Sequence, residues 1–207
     1  MEIRAPIEKR RRNVRGEGAR LKDELVEAAM RTLDQRPGVQ LSLRMVAKEA
    51  GVAAPSVYMH FPDVGAMFAE IVRECWRQMG AELSKAAVAK RYRTPLARLK
   101  AIMSAYVRYA MDRPSRYRLL FALSSEADHD LGGPLRPAYR AVIDSIQVIS
   151  DGGGKLPARE VAPTALLALS LAHGRIALAH LAPAREGNSA AGVEAFVLET
   201  LDLLFQA

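Results

Sequence analysis

Cysteine is nearly missing from this chain of 207 residues: Cys75 stands alone. A single thiol excludes an intrachain disulfide and agrees with a reducing cytoplasm. It leaves two readings, a redox sensor or a small packing residue in a helix. Long apolar runs are also missing. None approaches the about 20 residues needed to span a bilayer, and the first residues, MEIRAPIEKRRR, lack the apolar stretch of a secretion signal. There is no strand-like alternation, no phosphate-binding glycine loop, no nucleophile elbow and no HExxH pair. Catalysis therefore has no support and no cofactor is implied. Metal is not expected either. His173 and His180 lie seven apart on one helix face without a third ligand, and Asp128-His129-Asp130 sits among ordinary solvated loop charges.

What is present describes a helical globular protein. Half of the residues are hydrophobic and 26% are charged, enough for one large domain or two small ones. The net charge is +7, and residues 1–20 hold seven basic against three acidic residues, a net of +4. Arg10, Arg11, Arg12 and Arg15 dominate this arm. Such a segment either follows a nucleic-acid backbone or enters its minor groove, or it is simply a solvated tail.

The stretch LSLRMVAKEAGVAAPSVYMHF, residues 41–61, organises the rest. Ser42 precedes Leu43, Val46, Ala47 and Ala50, which recur at three- and four-residue steps, so it reads as the N-cap of an amphipathic helix. Gly51 supplies the positive φ that ends it. A second helix over 54–60 starts with Pro55 in its first turn. Val57 and Phe61, four apart, pack on the first helix, which leaves Ala53, Ser56 and Tyr58 facing outward, with His60 near the end. Helix, glycine turn and a second helix with a small-residue start is the pattern of a helix-turn-helix DNA reader. Ala53, Ala54 and Ser56 leave room for close approach to the major groove. Ser42 and Arg44 stand where a helix N-terminus favours an anion.

The run Val46-Ala47-x-x-Ala50-Gly51-Val52 followed by Ser56-Val57-Tyr58-x-His60-Phe61 resembles the DNA-binding signature of the tetracycline-repressor (TetR) family. The resemblance implies phosphate contacts from Tyr58 and His60; packing on the first helix is the other role open to both. It also implies a lysine on the DNA backbone at the start of the fourth helix. Val64, next to Asp63, stands there instead, so one phosphate contact is expected to be missing and the arginine arm to compensate.

Proline and glycine punctuate the remaining chain into helices over about 18–35, 64–89, 95–111, 114–123, 135–149, 158–181 and 190–205. This is an all-α fold: a basic flexible arm (1–17), a helix-turn-helix DNA-binding domain (18–63) and a larger helical ligand-binding and dimerisation domain (64–207). The last helix is expected to bury Val193, Phe196, Val197, Leu201 and Leu204. Helices 8 and 9 are apolar on more faces than one copy needs to cover. The resemblance implies that they pair with their mates in a homodimer on a palindromic operator. The second half resembles a subtype with a His-Gly pair in the penultimate helix, here His173-Gly174, and the resemblance implies a largely apolar effector pocket with Met103, Tyr106, Tyr109, Phe121 and His173 in its lining. Each of these residues also reads as plain core, and Gly174 as a site of close helix crossing.

The function expected is that of a cytoplasmic, ligand-responsive transcription regulator, most readily a repressor released from DNA by a small molecule. The other reading is an all-α small-molecule-binding protein with a vestigial reader. Deleting residues 1–15 should weaken DNA binding and flatten its salt dependence by about 0.9 in log–log slope for each phosphate no longer neutralised. A titration across salt concentrations checks this, and an unchanged slope would exclude the arm from the interface.

Overall fold

The computed structural model describes residues 17–89, 92–122 and 136–206. The arm with Arg10, Arg11, Arg12 and Arg15 lies outside them, as does the loop over 125–134 with Asp128, His129 and Asp130. Among the described residues the chain forms helices and no strand: α1 (Glu17–Gln35), α2 (Leu43–Ala50), α3 (Ala54–Tyr58), α4 (Val64–Ala87), α5 (Pro95–Asp112), α6 (Pro114–Ala122), α7 (Arg136–Asp151), α8 (Val161–Leu181) and α9 (Ala190–Gln206).

Each boundary has a local cause. Gly38, at φ 81°, turns the chain after α1. Thr94 caps α5 by accepting the Ala97 N–H at 3.1 Å, with Pro95 in the first turn. α8 begins three residues later than its sequence suggests. Arg159 adopts a φ of 65°, and the Ala158 N–H donates to Thr164 Oγ1 at 3.3 Å, so residues 158–160 form a turn that leads into the helix.

α1, α2 and α3 enclose a small core of Leu25, Ala28 and Ala29, Leu43, Val46 and Ala47, and Val57, joined by Phe61. α4 carries that core into the larger body. Its Met67, Ile71, Cys75, Met79 and Leu83 step by four and are all fully buried, a continuous seam from one end of the helix to the other. The Cys75 Sγ lies 3.8 Å from Met30 Sδ, and burial pushes the thiol up to about 11. A group so far from ionising at neutral pH is a packing residue, not a redox sensor. α5 is buried on several faces at once and forms the centre of the body.

Helices α8 and α9 leave apolar surface open. On α9, Val193, Val197 and Leu201 are buried, but Phe196 is 46% exposed and Leu204 is only half-buried, contrary to the expected burial of both. The 3.6-residue repeat puts Phe196 and Leu203 on one flank of the stripe formed by the three buried residues. On α8, Leu166, Leu167, Leu178 and Leu181 are exposed. α8 is long and apolar enough, by length and composition, to cross a bilayer, which the count of unbroken apolar runs did not register. Its Ala165, Ala168, Ala172, Ile176 and Ala179 are nevertheless buried in the chain's own core, and Arg175 interrupts it.

The two parts are fastened by side chains. Lys22 on α1 reaches Glu70 on α4 at 2.8 Å, and Arg116 on α6 grips Asp34 on α1 through Nε at 2.8 and 3.1 Å. Arg116 Nη1 also donates to Gln78 on α4 at 3.2 Å. Replacing Arg116 by Met should lower unfolding free energy by about 1.5–3 kcal/mol, the range for hydrogen bonds to charged groups. Urea denaturation checks this, and an unchanged midpoint would mean that the junction contributes nothing to stability.

Candidate nucleic-acid interface and ligand cavity

The reading helix is positioned by the turn that precedes it. Ser42 Oγ accepts the Met45 N–H at 3.3 Å and opens α2. At the other end Gly51 is left-handed, with φ 68°. Its N–H donates to Lys48 O at 3.3 Å, and the Val52 N–H donates to Ala47 O at 3.0 Å. This paired closure is a Schellman motif, and it reverses the chain within two residues. Ala53 is extended and starts α3. Val57 is fully buried and Phe61 is 2% exposed, with both Phe61 and His60 bonded back to the Val57 carbonyl.

Those two anchors fix what faces out. Tyr58 is 51% exposed; Ala53 and Arg44 are exposed; Ser42, Ala54, Ser56 and His60 are half-buried. Ser42 and Arg44 sit at the start of α2, Ser42 as its N-cap. Met59 is 85% exposed, a large apolar side chain in open solvent at the tip of the reader. The sequence signal for it is available, because anchors at 57 and 61 force 58–60 outward. Asp63 has a role that sequence reasoning misses. Its carboxylate accepts the Ala66 N–H at 2.7 Å and caps α4, so the acid beside Val64 serves the helix start.

A cavity of about 370 Å³ opens between α6 and α8, lined by Tyr117, Arg118, Phe121, His173, Ala177, His180 and Leu181. Phe121 and His173 of the expected pocket are therefore in its wall, with their rings 4.2 Å apart between centroids. Met103 and Tyr109 are not; both are fully buried on α5. Tyr106 lies one layer behind. Its hydroxyl is 2.7 Å from that of Tyr117, which is 2.8 Å from His173 Nδ1. With His173 protonated on Nε2, Tyr106 donates to Tyr117 and Tyr117 donates to Nδ1, which satisfies the whole chain. Tyr117, Arg118 and His180 have no place in the expected lining.

Burial holds the His173 imidazole below its ordinary range. His180 is lowered by burial and by the Arg118 charge. The Ala110 backbone pulls the other way, yet neither ring nitrogen of His180 has a hydrogen-bond partner. Burial pushes the Tyr106 phenol up to about 12. At neutral pH the wall is thus uncharged except for Arg118 at its rim, and suits an apolar molecule with a few polar groups. Among the described residues no cluster of three metal-ligating side chains occurs.

The segment 25–71 matches the model of bacterial regulatory proteins of the tetR family, and 99–203 matches a tetracyclin repressor-like C-terminal domain. The chain belongs to the TetR family. As a TetR-family protein it is a DNA-binding, ligand-responsive regulator and not an enzyme. It is 26% identical over 163 residues to the nucleoid occlusion factor SlmA of Marinomonas sp. (strain MWYL1), covering 74% of this chain and 79% of that one. It is 31% identical to the HTH-type transcriptional regulator BetI of Brucella suis, but over only 81 residues, 39% of this chain and 40% of that regulator. Its fold is similar to that of a protein of unknown function from Rhodococcus sp. RHA1, with a TM-score of 0.74 at 22% identity over 96% of this chain and 97% of the other. It is also similar to the TetR-family regulator PfmR of Thermus thermophilus, with a TM-score of 0.65 at 17% identity over 90% and 96%.

The two histidines give this regulator a pH signature. Their folded-state pKa values lie below the ordinary value, so the unfolded chain takes up protons that the folded one refuses. Their contribution is fully present above the unfolded value of about 6.5 and is lost as pH falls from there towards the folded values. Stability should therefore fall more steeply below about pH 6.5 in the native protein than in a His173→Gln, His180→Gln double variant. Thermal midpoints from pH 7.5 down to 5 decide it, and parallel curves would refute the assignment.

Proposed function

We propose that two copies of this chain bind a palindromic operator as a homodimer, repress transcription in the cytoplasm, and leave the DNA when a largely apolar small molecule enters the α6–α8 cavity. One observation carries the link between the two sites. Neighbouring residues of α6 face both ways: Arg116 holds Asp34 at the end of α1, and Tyr117 forms the cavity wall. A ligand that displaces Tyr117 therefore pulls on the helix that supports the reader. It acts only by its preference for the displaced arrangement; equal affinity for both would change nothing. Tyr58 and His60 take phosphates, and Ala53, Ala54 and Ser56 admit the helix to the major groove, as in the family pattern.

The proposed mate lies against α8 and α9. Leu166, Ser170, Gly174 and Leu178 step by four along one exposed stripe of α8, and Phe196 and Leu203 lie exposed on α9. A Cβ at Gly174 would meet nothing within this copy, so close crossing inside the monomer does not explain the glycine. It lies at the middle of the open stripe, where a second α8 would cross. The His173-Gly174 pair of the proposed subtype then has two uses, the first residue facing the cavity and the second facing the mate.

Site selection from random duplexes with the full chain should recover a two-fold symmetric sequence. Tyr58→Ala should weaken binding to it by about tenfold or more, roughly 1.4 kcal/mol, with circular dichroism unchanged because Tyr58 is half exposed. Leu178→Asp should raise the dimer dissociation constant at least about 100-fold by placing a charge in the interface, as read by sedimentation. Absence of any enriched site with folded dimer would end the regulator reading and favour a binding protein with a vestigial reader.

A further inference from the structure

A second cavity, of about 400 Å³, lies at the far end of α4, between its last turns, the first turn of α5 and the middle of α7. It shares no lining residue with the α6–α8 cavity. Two residues of its wall each carry a hydrogen-bond donor without a partner. Ser145 is 4% exposed, and its Oγ is buried without a partner. Arg98 Nε is likewise buried without a partner, and Arg98 makes no ion pair among the described residues. Arg140 and Asp144 also face the cavity, paired with each other at 2.8 Å, so the wall keeps one unbalanced positive charge, that of Arg98. Apart from Ser84, the rest of the lining is apolar: Ala87, Val88, Ala141 and Val148, with the two valines exposed at the rim.

We propose that this cavity binds a small organic monoanion, a carboxylate with a short apolar tail. An ionised carboxylate only accepts hydrogen bonds, so it offers an acceptor to the unpartnered donors of Arg98 and Ser145 and neutralises the Arg98 charge. Asp144 in the same wall opposes a second negative charge, which disfavours phosphate. A metal cation is excluded by the arginine. The apolar rim takes the tail. Neither the DNA interface nor the α6–α8 cavity is needed for this binding. The place does give it consequence, because the ligand would touch Ser84, Ala87 and Val88 at the opposite end of the helix that starts beside the reader.

Calorimetric titration of the full chain with acetate, butyrate, hexanoate, octanoate and inorganic phosphate tests it. Affinity should rise up to about fourfold for each buried methylene until the tail fills the cavity, and phosphate should bind more weakly than hexanoate. Arg98→Gln should lower hexanoate affinity about tenfold or more, with partial recovery in Arg98→Lys, since charge-assisted contacts are the strong ones. Ser145→Ala should lower it about threefold to tenfold without lowering the unfolding midpoint, because the hydroxyl removed has no partner. Ala141→Leu, which fills the cavity, should abolish binding. The proposal is overturned by no saturable binding to the folded protein, by affinity independent of tail length, by phosphate binding as tightly as hexanoate, or by hexanoate binding unaffected by the substitutions. If Arg98→Gln fails to fold, Ser145→Ala and Ala141→Leu decide the matter by themselves.

Discussion

A five-residue helix cannot stand by itself in water, because the first turn fixes several backbone angles for a single hydrogen bond. The reader α3 exists only because its surroundings impose it. Gly51 sends the chain back through the left-handed region, and Val57 and Phe61 fasten α3 to α1 and α2. No atom crowds Gly51, so the requirement for glycine there is one of backbone conformation and not of space. With the turn and both anchors fixed, Tyr58, Met59 and His60 have one direction left to point. The outward face of the reader is thus a consequence of what is buried beneath it.

The same constraint makes α1 the support of the reader, and α1 is held by the body near both ends. Lys22 lies towards its start and joins Glu70 on α4; Asp34 lies at its end and joins Arg116 on α6. Burial alone would raise the Glu70 carboxyl, but Arg73 and Lys22 outweigh it and hold the group below its ordinary range. A helix fixed at two points to two different helices moves when either one does. α6 therefore belongs beside α4 in any account of signal transfer, although the order of elements in the chain points to α4 alone.

Much of this is legible in the sequence where the chemistry is local. Proline, glycine and capping residues set helix ends, and the pair Val57 and Phe61 tells inside from outside across the reader. Asp63 is easily misjudged because a carboxylate near expected phosphates reads as a cost, while its use as a cap depends on the Ala66 N–H that only the fold places before it. The family resemblance implies a pocket role for Met103 and Tyr109, with plain core as the other role open to both, and both are fully buried. Helical spacing cannot separate a cavity wall from a core wall, and the middle of α5, which carries both residues, is buried on several faces at once. Arg116 looks like one of many surface cations. Its partner is 82 residues earlier in the chain, and no short-range pattern announces a contact at that separation.

α8 marks the boundary of what a one-dimensional reading yields. It is apolar nearly all round, so its sequence has no polar face to set against a buried one. The fold divides it into three stripes. Ala165, Ala168, Ala172, Ile176 and Ala179 enter the core; His173, Ala177 and His180 line the cavity; Leu166, Gly174 and Leu178 face outward. Alanines predominate on the first stripe, which is packed in the core, while the third, with Leu166, Ser170, Gly174 and Leu178, is left uncovered in this copy. The stripes share one rigid rod, so a molecule in the cavity and a mate on the open face would each sense the other through its tilt. In the proposed dimer, occupancy and assembly would then be linked before DNA enters, through whichever tilt of α8 the effector prefers.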